Sequence, residues 1–251
     1  MPSPVQRVEI VDIGPRPPRP TIIVGVPEAG LVGTIASSYL VEQLQMKERG
    51  YIDSDFMPPV MVVHDSMVRY PVHIFGKDSL IVVLSEVPLT GRLSLELARE
   101  LAAWAKSLKA TIIVGVTGAP SRAREESQGE GKSTVVGVGN DEESLQALKK
   151  SAATSFEEGV VSGFYASLLK FCTKNQQSCA VLLAESLAQF PDPGAASAVI
   201  EALNGLTSLN VDTKPLTQEA EAIRLRTREL MQQTQQAQQS ATEGRAGSAY
   251  R

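Results

Sequence analysis

Thr21-Ile22-Ile23-Val24-Gly25-Val26-Pro27-Glu28-Ala29-Gly30-Leu31-Val32-Gly33 is the stretch on which the fold turns. Its first six residues are short, β-branched and nearly all apolar, as a strand buried on both faces should be. A glycine-containing turn follows, and the pattern then predicts a helix from about Leu31 to Met46. Working outward, the same kind of apolar run recurs at Val60–His64, Leu80–Leu84, Thr111–Val116 and Cys179–Glu185. Helical patterns lie between several of them. Leu93, Leu97, Leu101, Trp104 and Leu108 fall at spacings of four and three, on one helix face. Strands alternating with helices predict an α/β domain around a mostly parallel sheet.

The hexapeptide TIIVGV occurs twice, at 21–26 and 111–116. Two βα units of similar design would produce this, and so would chance within the restricted alphabet of doubly buried strands. The segment Pro120–Lys132 carries three basic and three acidic residues, two glycines and no large apolar side chain. It reads as a mobile surface loop at a strand's carboxyl end.

The flanks set the domain organisation. Residues 1–20 form a Pro-rich arm with one short strand candidate, Arg7–Ile13, and the α/β core spans 21–215. Phe190–Gly194 is turn chemistry, with a helix predicted from Ala195 to Leu206. A further helix is predicted over 216–239. Leu216, Ala220, Ile223, Thr227, Leu230, Thr234 and Ala237 give it only a thin heptad seam, so it should pack on its own domain for two turns and then project. Residues 240–251 are small and polar and read as a flexible tail.

Composition narrows the function. The chain of 251 residues is 43% hydrophobic and 21% charged, enough apolar surface for a packed core. With 24 basic against 28 acidic residues it has no basic excess to neutralise phosphates, so no nucleic-acid partner is expected. No apolar run approaches the roughly 18–20 residues needed to cross a bilayer. The N-terminus lacks the apolar segment of a secretory signal, and a cytoplasmic protein with no membrane partner is expected. Cys172 and Cys179 lack CxxC spacing and a surrounding His/Cys cluster, which points to plain thiols and no metal.

Three features carry chemistry. The first is the loop of Gly25, Pro27, Glu28, Gly30 and Gly33, where main-chain N–H groups between strand and helix could cradle an anion. Its spacing is neither GxGxxG nor a P-loop, because Leu31 stands where the lysine would be. Gly30 and Gly33 serve helix–sheet packing equally well. The second is a trio of carboxylates, Glu28, Glu86 and Glu185, at or near strand ends, where α/β crevices form. They could line a hydrolytic or small-molecule site, cap helix N-termini or lie in solvent. The only histidines, His64 and His73, sit in strand-like surroundings, and no nucleophile elbow or HExxH is present. No catalytic residue and no cofactor is therefore assigned. The third is the terminus Ala249-Tyr250-Arg251, a portable recognition element of ring, hydroxyl and free carboxylate.

The series from Pro20 to Leu44, Phe56 to Phe75, Leu80 to Leu89, the Thr111–Pro120 strand and the Leu182–Leu206 region resembles the proteasome assembly chaperone type 2 superfamily. Pro27-Glu28-Ala29-Gly30 stands where many members have Pro-Gly-x-Gly. The resemblance implies a phosphorylase/nucleosidase-like three-layer α/β sandwich. It implies an archaeal-type, ATP-independent, non-catalytic chaperone of the proteasome core particle. It also implies a closed homo-oligomer of four or five subunits whose C-terminal hydrophobic-Tyr-any motif enters pockets between proteasome α-subunits. On this chain that motif maps to Ala249, Tyr250 and Arg251. Some relatives carry an ATP-grasp-like ligase label, for which this sequence supplies no nucleotide loop and no paired Mg²⁺ carboxylates.

Overall fold

The computed structural model describes residues 7–89 and 91–218. In chain order the elements are β1 (Val8–Asp12), β2 (Thr21–Gly25), α1 (Val32–Gln43), β3 (Lys47–Ser54), β4 (Val62–His64), β5 (Met67–Arg69), β6 (Val72–Lys77), β7 (Leu80–Ser85), α2 (Gly91–Ser107), β8 (Ile112–Pro120), α3 (Arg122–Glu126), β9 (Val135–Gly139), α4 (Glu142–Leu148), β10 (Thr154–Ser155), α5 (Gly163–Lys174), β11 (Cys179–Ser186) and α6 (Pro193–Thr207). Residues 214–218 begin a further helix, with Leu216 buried. The rest of the helix expected over 216–239, and the tail, lie outside the described residues.

Nine strands form one sheet in the order β1-β3-β6-β7-β2-β8-β11-β9-β10. The parallel pairing expected from sequence holds at the centre, where β7, β2, β8 and β11 run side by side. The flanks are different: β1, β3, β6 and β7 pair antiparallel, as do β11 and β9. The reason is connectivity, because β6 and β7 form a hairpin across Asp78, a tight return that parallel strands cannot make. The run Val60–His64 does not join this sheet. Its Val62–His64 pairs with β5 in a separate two-stranded ribbon, closed by Asp65 and Ser66 at φ 50° and 63°. Two successive positive φ angles are the backbone of a type I′ hairpin turn.

Helices cover both faces, giving three layers. Ile23, Val114, Val116 and Leu182 pack with α1 and α6 on one side. Ile22, Val24, Ile113 and Val181 pack with α2 and α5 on the other. The two TIIVGV segments are neighbours in the sheet but one residue out of step: Ile22 lies beside Ile113, and Ile23 beside Val114.

Most of the segment 120–132 is exposed, as a surface loop should be, but it carries the short helix α3 and folds about one buried residue. Arg124 of α3 is buried, and its guanidinium donates to both carboxylate oxygens of Asp192 and to the carbonyls of Glu130 and Gly131. With four of its five N–H donors engaged, the guanidinium folds the segment around itself. At the N-terminus Arg49 does likewise, donating to Asp12 and to the Pro15 carbonyl and so fixing the start of the Pro-rich arm.

Candidate functional site at the carboxyl edge of the sheet

The glycine turn stands at the carboxyl ends of β2, β7 and β8. Gly30 has φ +64°, a conformation suited to a residue without Cβ, and Leu31 follows at φ 50°. The space that side chains would take at these glycines is filled by the protein. A Cβ on Gly33 would stand 2.4 Å from the Val116 carbonyl oxygen, and one on Gly25 would stand 2.2 Å from that of Gly33. Loop N–H groups are also engaged: Val26 donates to the Tyr165 hydroxyl, Leu31 to the Glu28 carbonyl and Val32 to that of Ala29. Tyr165 is itself buried and donates to the Val116 carbonyl at 2.6 Å, wedged between β2 and β8. Gly115 makes room for it, since a Cβ there would meet the ring at 2.5 Å.

Each of the three carboxylates takes its own partners. Glu28 accepts from the Thr117 hydroxyl at 2.9 Å and from the N–H of Phe164, in the first turn of α5. It serves that helix end, whose N-cap Ser162 makes no side-chain cap. Burial pushes its carboxyl above the ordinary value of 4.5, against the opposing pull of Thr117 and the Phe164 N–H. Glu185 accepts from Ser121 at 3.2 Å. Glu86 belongs to a different group, and no hydrogen bond or ion pair joins these three among the described residues.

That group is the arrangement sequence reading missed. Glu86 accepts from or bonds to His64 Nε2 at 2.9 and 3.0 Å, and its Oε1 lies 2.8 Å from His73 Nε2. His73 is buried, and its Nδ1 lies 3.0 Å from Glu48 Oε1. Glu48 in turn accepts from Arg69 Nη1 at 2.6 Å. The signal was available in the β6–β7 hairpin. His73 pairs with Leu84, and the Glu86 N–H donates to the Pro71 carbonyl, so alternation sets His73 and Glu86 on one face. His64 arrives from outside the main sheet, on the β4–β5 ribbon, which no strand periodicity announces.

The fold defines a three-layer α/β protein with an antiparallel flank, and comparison with known proteins gives its class. The PAC2 family profile matches residues 22–231, and the chain belongs to the PAC2 family. An uncharacterized protein of Methanocaldococcus jannaschii, MJ0106, is 29% identical over 214 residues, 85% of this chain and 86% of that protein. The crystal structure of Pyrococcus furiosus PbaA, described as an archaeal homolog of proteasome-assembly chaperone, is similar with a TM-score of 0.83 at 28% identity. The match covers 98% of this chain and 100% of PbaA. Pyrococcus furiosus PbaB, described as an archaeal proteasome activator, shares the fold with a TM-score of 0.78 at 20% identity, over 90% of this chain and 100% of PbaB. No helix among the described residues is long and apolar enough to cross a membrane.

Proposed function

We propose that this protein is a non-catalytic, ATP-independent proteasome assembly chaperone or proteasome-binding factor. The observation that carries the reading is the similarity to PbaA, which at 28% identity extends over 98% of the chain and not over the sheet alone. The contact is made by Ala249, Tyr250 and Arg251 at the chain's C-terminus, seated between subunits of the proteasome α-ring. The ring of Tyr250 supplies most of one tail's binding, and the terminal carboxylate adds a charge-assisted bond to a lysine. Twelve residues, 240–251, reach about 40 Å when extended and about 20 Å as a coil, enough to bridge two particles. A single tail of this kind is weak. Presenting four or five on one homo-oligomer multiplies its effect.

Surface plasmon resonance against α-rings tests this, with melting temperature as the control. Tyr250→Ala weakens binding by about 1.5–3 kcal/mol per engaged tail. One residue added after Arg251 does nearly as much damage by moving the carboxylate, and Arg251→Ala costs little. None of the three shifts the melting temperature, because a small, polar terminal sequence contributes nothing to a packed core. Full-strength binding by Tyr250→Ala would show that the body of the domain makes the contact.

A further inference from the structure

We propose that His64, His73 and Glu86 form a binding site for a divalent transition-metal ion of the zinc class, which clamps the β4–β5 ribbon to the edge of the main sheet. The three ligand atoms, two imidazole nitrogens and a carboxylate oxygen, all lie within 4.8 Å of one another. They come from three separate strand ends: His64 closes β4, His73 is the second residue of β6 and Glu86 follows β7. A tetrahedral ion at about 2.0–2.2 Å from each ligand needs donor atoms about 3.3–3.5 Å apart. Glu86 already stands 2.8–3.0 Å from both imidazoles, so it withdraws by about half an ångström while the histidines close in.

The surroundings are those that tune a metal ligand rather than only a hydrogen-bonded trio. His73 turns Nε2 toward the site and offers Nδ1 to Glu48, at 3.0 Å. Glu48 is itself held by Arg69 at 2.6 Å. A carboxylate behind a histidine fixes the tautomer, with the lone pair on the metal-facing nitrogen, and raises ligand basicity. The site is graded in exposure. The side chain of His73 is 3% exposed, that of Glu86 26% and that of His64 49%, so a rigid inner ligand faces an outer one reachable from solvent. Three protein ligands with one open side leave a coordination position for water. Two imidazoles and one carboxylate suit Zn²⁺, Co²⁺ and Ni²⁺, whereas Ca²⁺ and Mg²⁺ want oxygen ligands.

A structural consequence follows from where His64 sits. Val63, Met67 and Val68 of the ribbon are exposed, so apolar burial does little to hold it down. Its polar ties to the body are the His64–Glu86 and Arg69–Glu48 contacts, both belonging to this network. An ion converts the first of these from a solvent-facing contact into two coordinate bonds.

The test uses the full chain without an affinity tag, stripped with chelator and titrated with zinc sulfate by calorimetry. One Zn²⁺ binds per chain, and Mg²⁺ at the same concentration gives no heat of binding. Co²⁺ gives the visible absorption of a four- or five-coordinate ion. His64→Ala and Glu86→Gln each weaken Zn²⁺ binding at least tenfold, and Glu48→Gln weakens it about 10–100-fold. His64 is half-exposed, so His64→Ala keeps the melting temperature of the metal-free protein. Hydrogen exchange of residues 61–69 slows with Zn²⁺ in the unaltered chain and not in His64→Ala. Absence of saturable binding, or Zn²⁺ binding unchanged in both His64→Ala and Glu86→Gln, overturns the proposal. Binding that meets these criteria without slower exchange in the ribbon keeps the ion site and overturns the clamp.

Discussion

Arg124 and Asp192 meet in a buried, two-pronged ion pair, Nε to Oδ2 and Nη2 to Oδ1 each at 2.9 Å, with both side chains 4% exposed. Asp192 does more than neutralise. It accepts the N–H groups of Ala195 and Leu187, capping α6, and its own N–H donates to the Gly30 carbonyl. Helix α6, the segment 120–132 and the glycine turn are therefore tied at one residue. Asp192→Asn keeps the cap but leaves a buried guanidinium without its counter-charge, and stability falls by about 3–5 kcal/mol. Adding Arg124→Met to that variant recovers most of the loss, because the stranded charge is gone. Urea denaturation of the single and double variants measures both steps.

The glycine turn responds to methyl groups according to what each would strike. Gly33→Ala drives a Cβ against the Val116 and Val26 carbonyl oxygens at 2.4 and 2.9 Å, backbone atoms that cannot swing aside. Gly30→Ala meets its nearest neighbour at 3.0 Å and is penalised mainly for its φ of +64°. Gly33→Ala costs about 1–3 kcal/mol or more by overpacking. Gly30→Ala costs about 1–2 kcal/mol of left-handed backbone strain. On the proposed role, binding to α-rings follows stability in both. Calorimetry with ATP is the cross-check, and saturable micromolar binding would show that the turn holds a ligand.

Glu28 gives the fold a pH dependence of definite sign. Burial raises its carboxyl above 4.5, so the folded chain holds that proton more tightly than the unfolded one. Its contribution is most favourable below the unfolded value and is lost as pH rises through the folded one. Glu28→Gln keeps an acceptor for Thr117 and the Phe164 N–H without the buried charge. The variant is therefore more stable than the parent at pH 7, and the two converge below 4.5. Thermal melts across that range decide it.

The cysteines are inert in the native state. Cys172 and Cys179 are both free and buried, and the adjacent Cys172 together with burial holds the Cys179 thiol well above its usual range. Burial keeps a disulfide reagent from both sulfurs, so neither reacts until the chain is unfolded, when both do.

Several elements were legible because local pattern and burial agree. The heptad-like spacing of Leu93, Leu97 and Leu101 marks the buried face of α2. The helix expected from Ala195 is α6, but it starts two residues earlier, because Asp192 acts as its N-cap and Pro193 opens its first turn within what reads as turn sequence. β3 was not legible, since Lys47, Glu48, Arg49 and Asp53 mask a strand that exists by pairing with β1 and β6. The ribbon was misread for the opposite reason: Val62 and Val63 look like core, yet Val63 is exposed. Glu28, Glu86 and Glu185 were each found by position at a strand end. Their partners come from residues 64, 73, 117, 121 and 164; strand alternation across the β6–β7 hairpin reaches His73, and no periodicity encodes the other four.

The twin hexapeptides carry a liability during folding. Because the second copy is shifted by one residue, Ile22 faces the α2 and α5 layer while its counterpart Ile112 faces the α1 layer. Identical letters thus serve opposite faces, and only the surroundings tell a nascent chain which is which. Each copy is six residues without charge or proline and rich in β-branched side chains, the composition of a self-complementary amyloid-forming segment. Sitting at the centre of the sheet, both are sequestered as long as the fold holds. A destabilised variant exposes two matched adhesive segments per molecule. Its failure should therefore appear as aggregation once the central sheet opens, with the two strands of one chain able to recruit either strand of another.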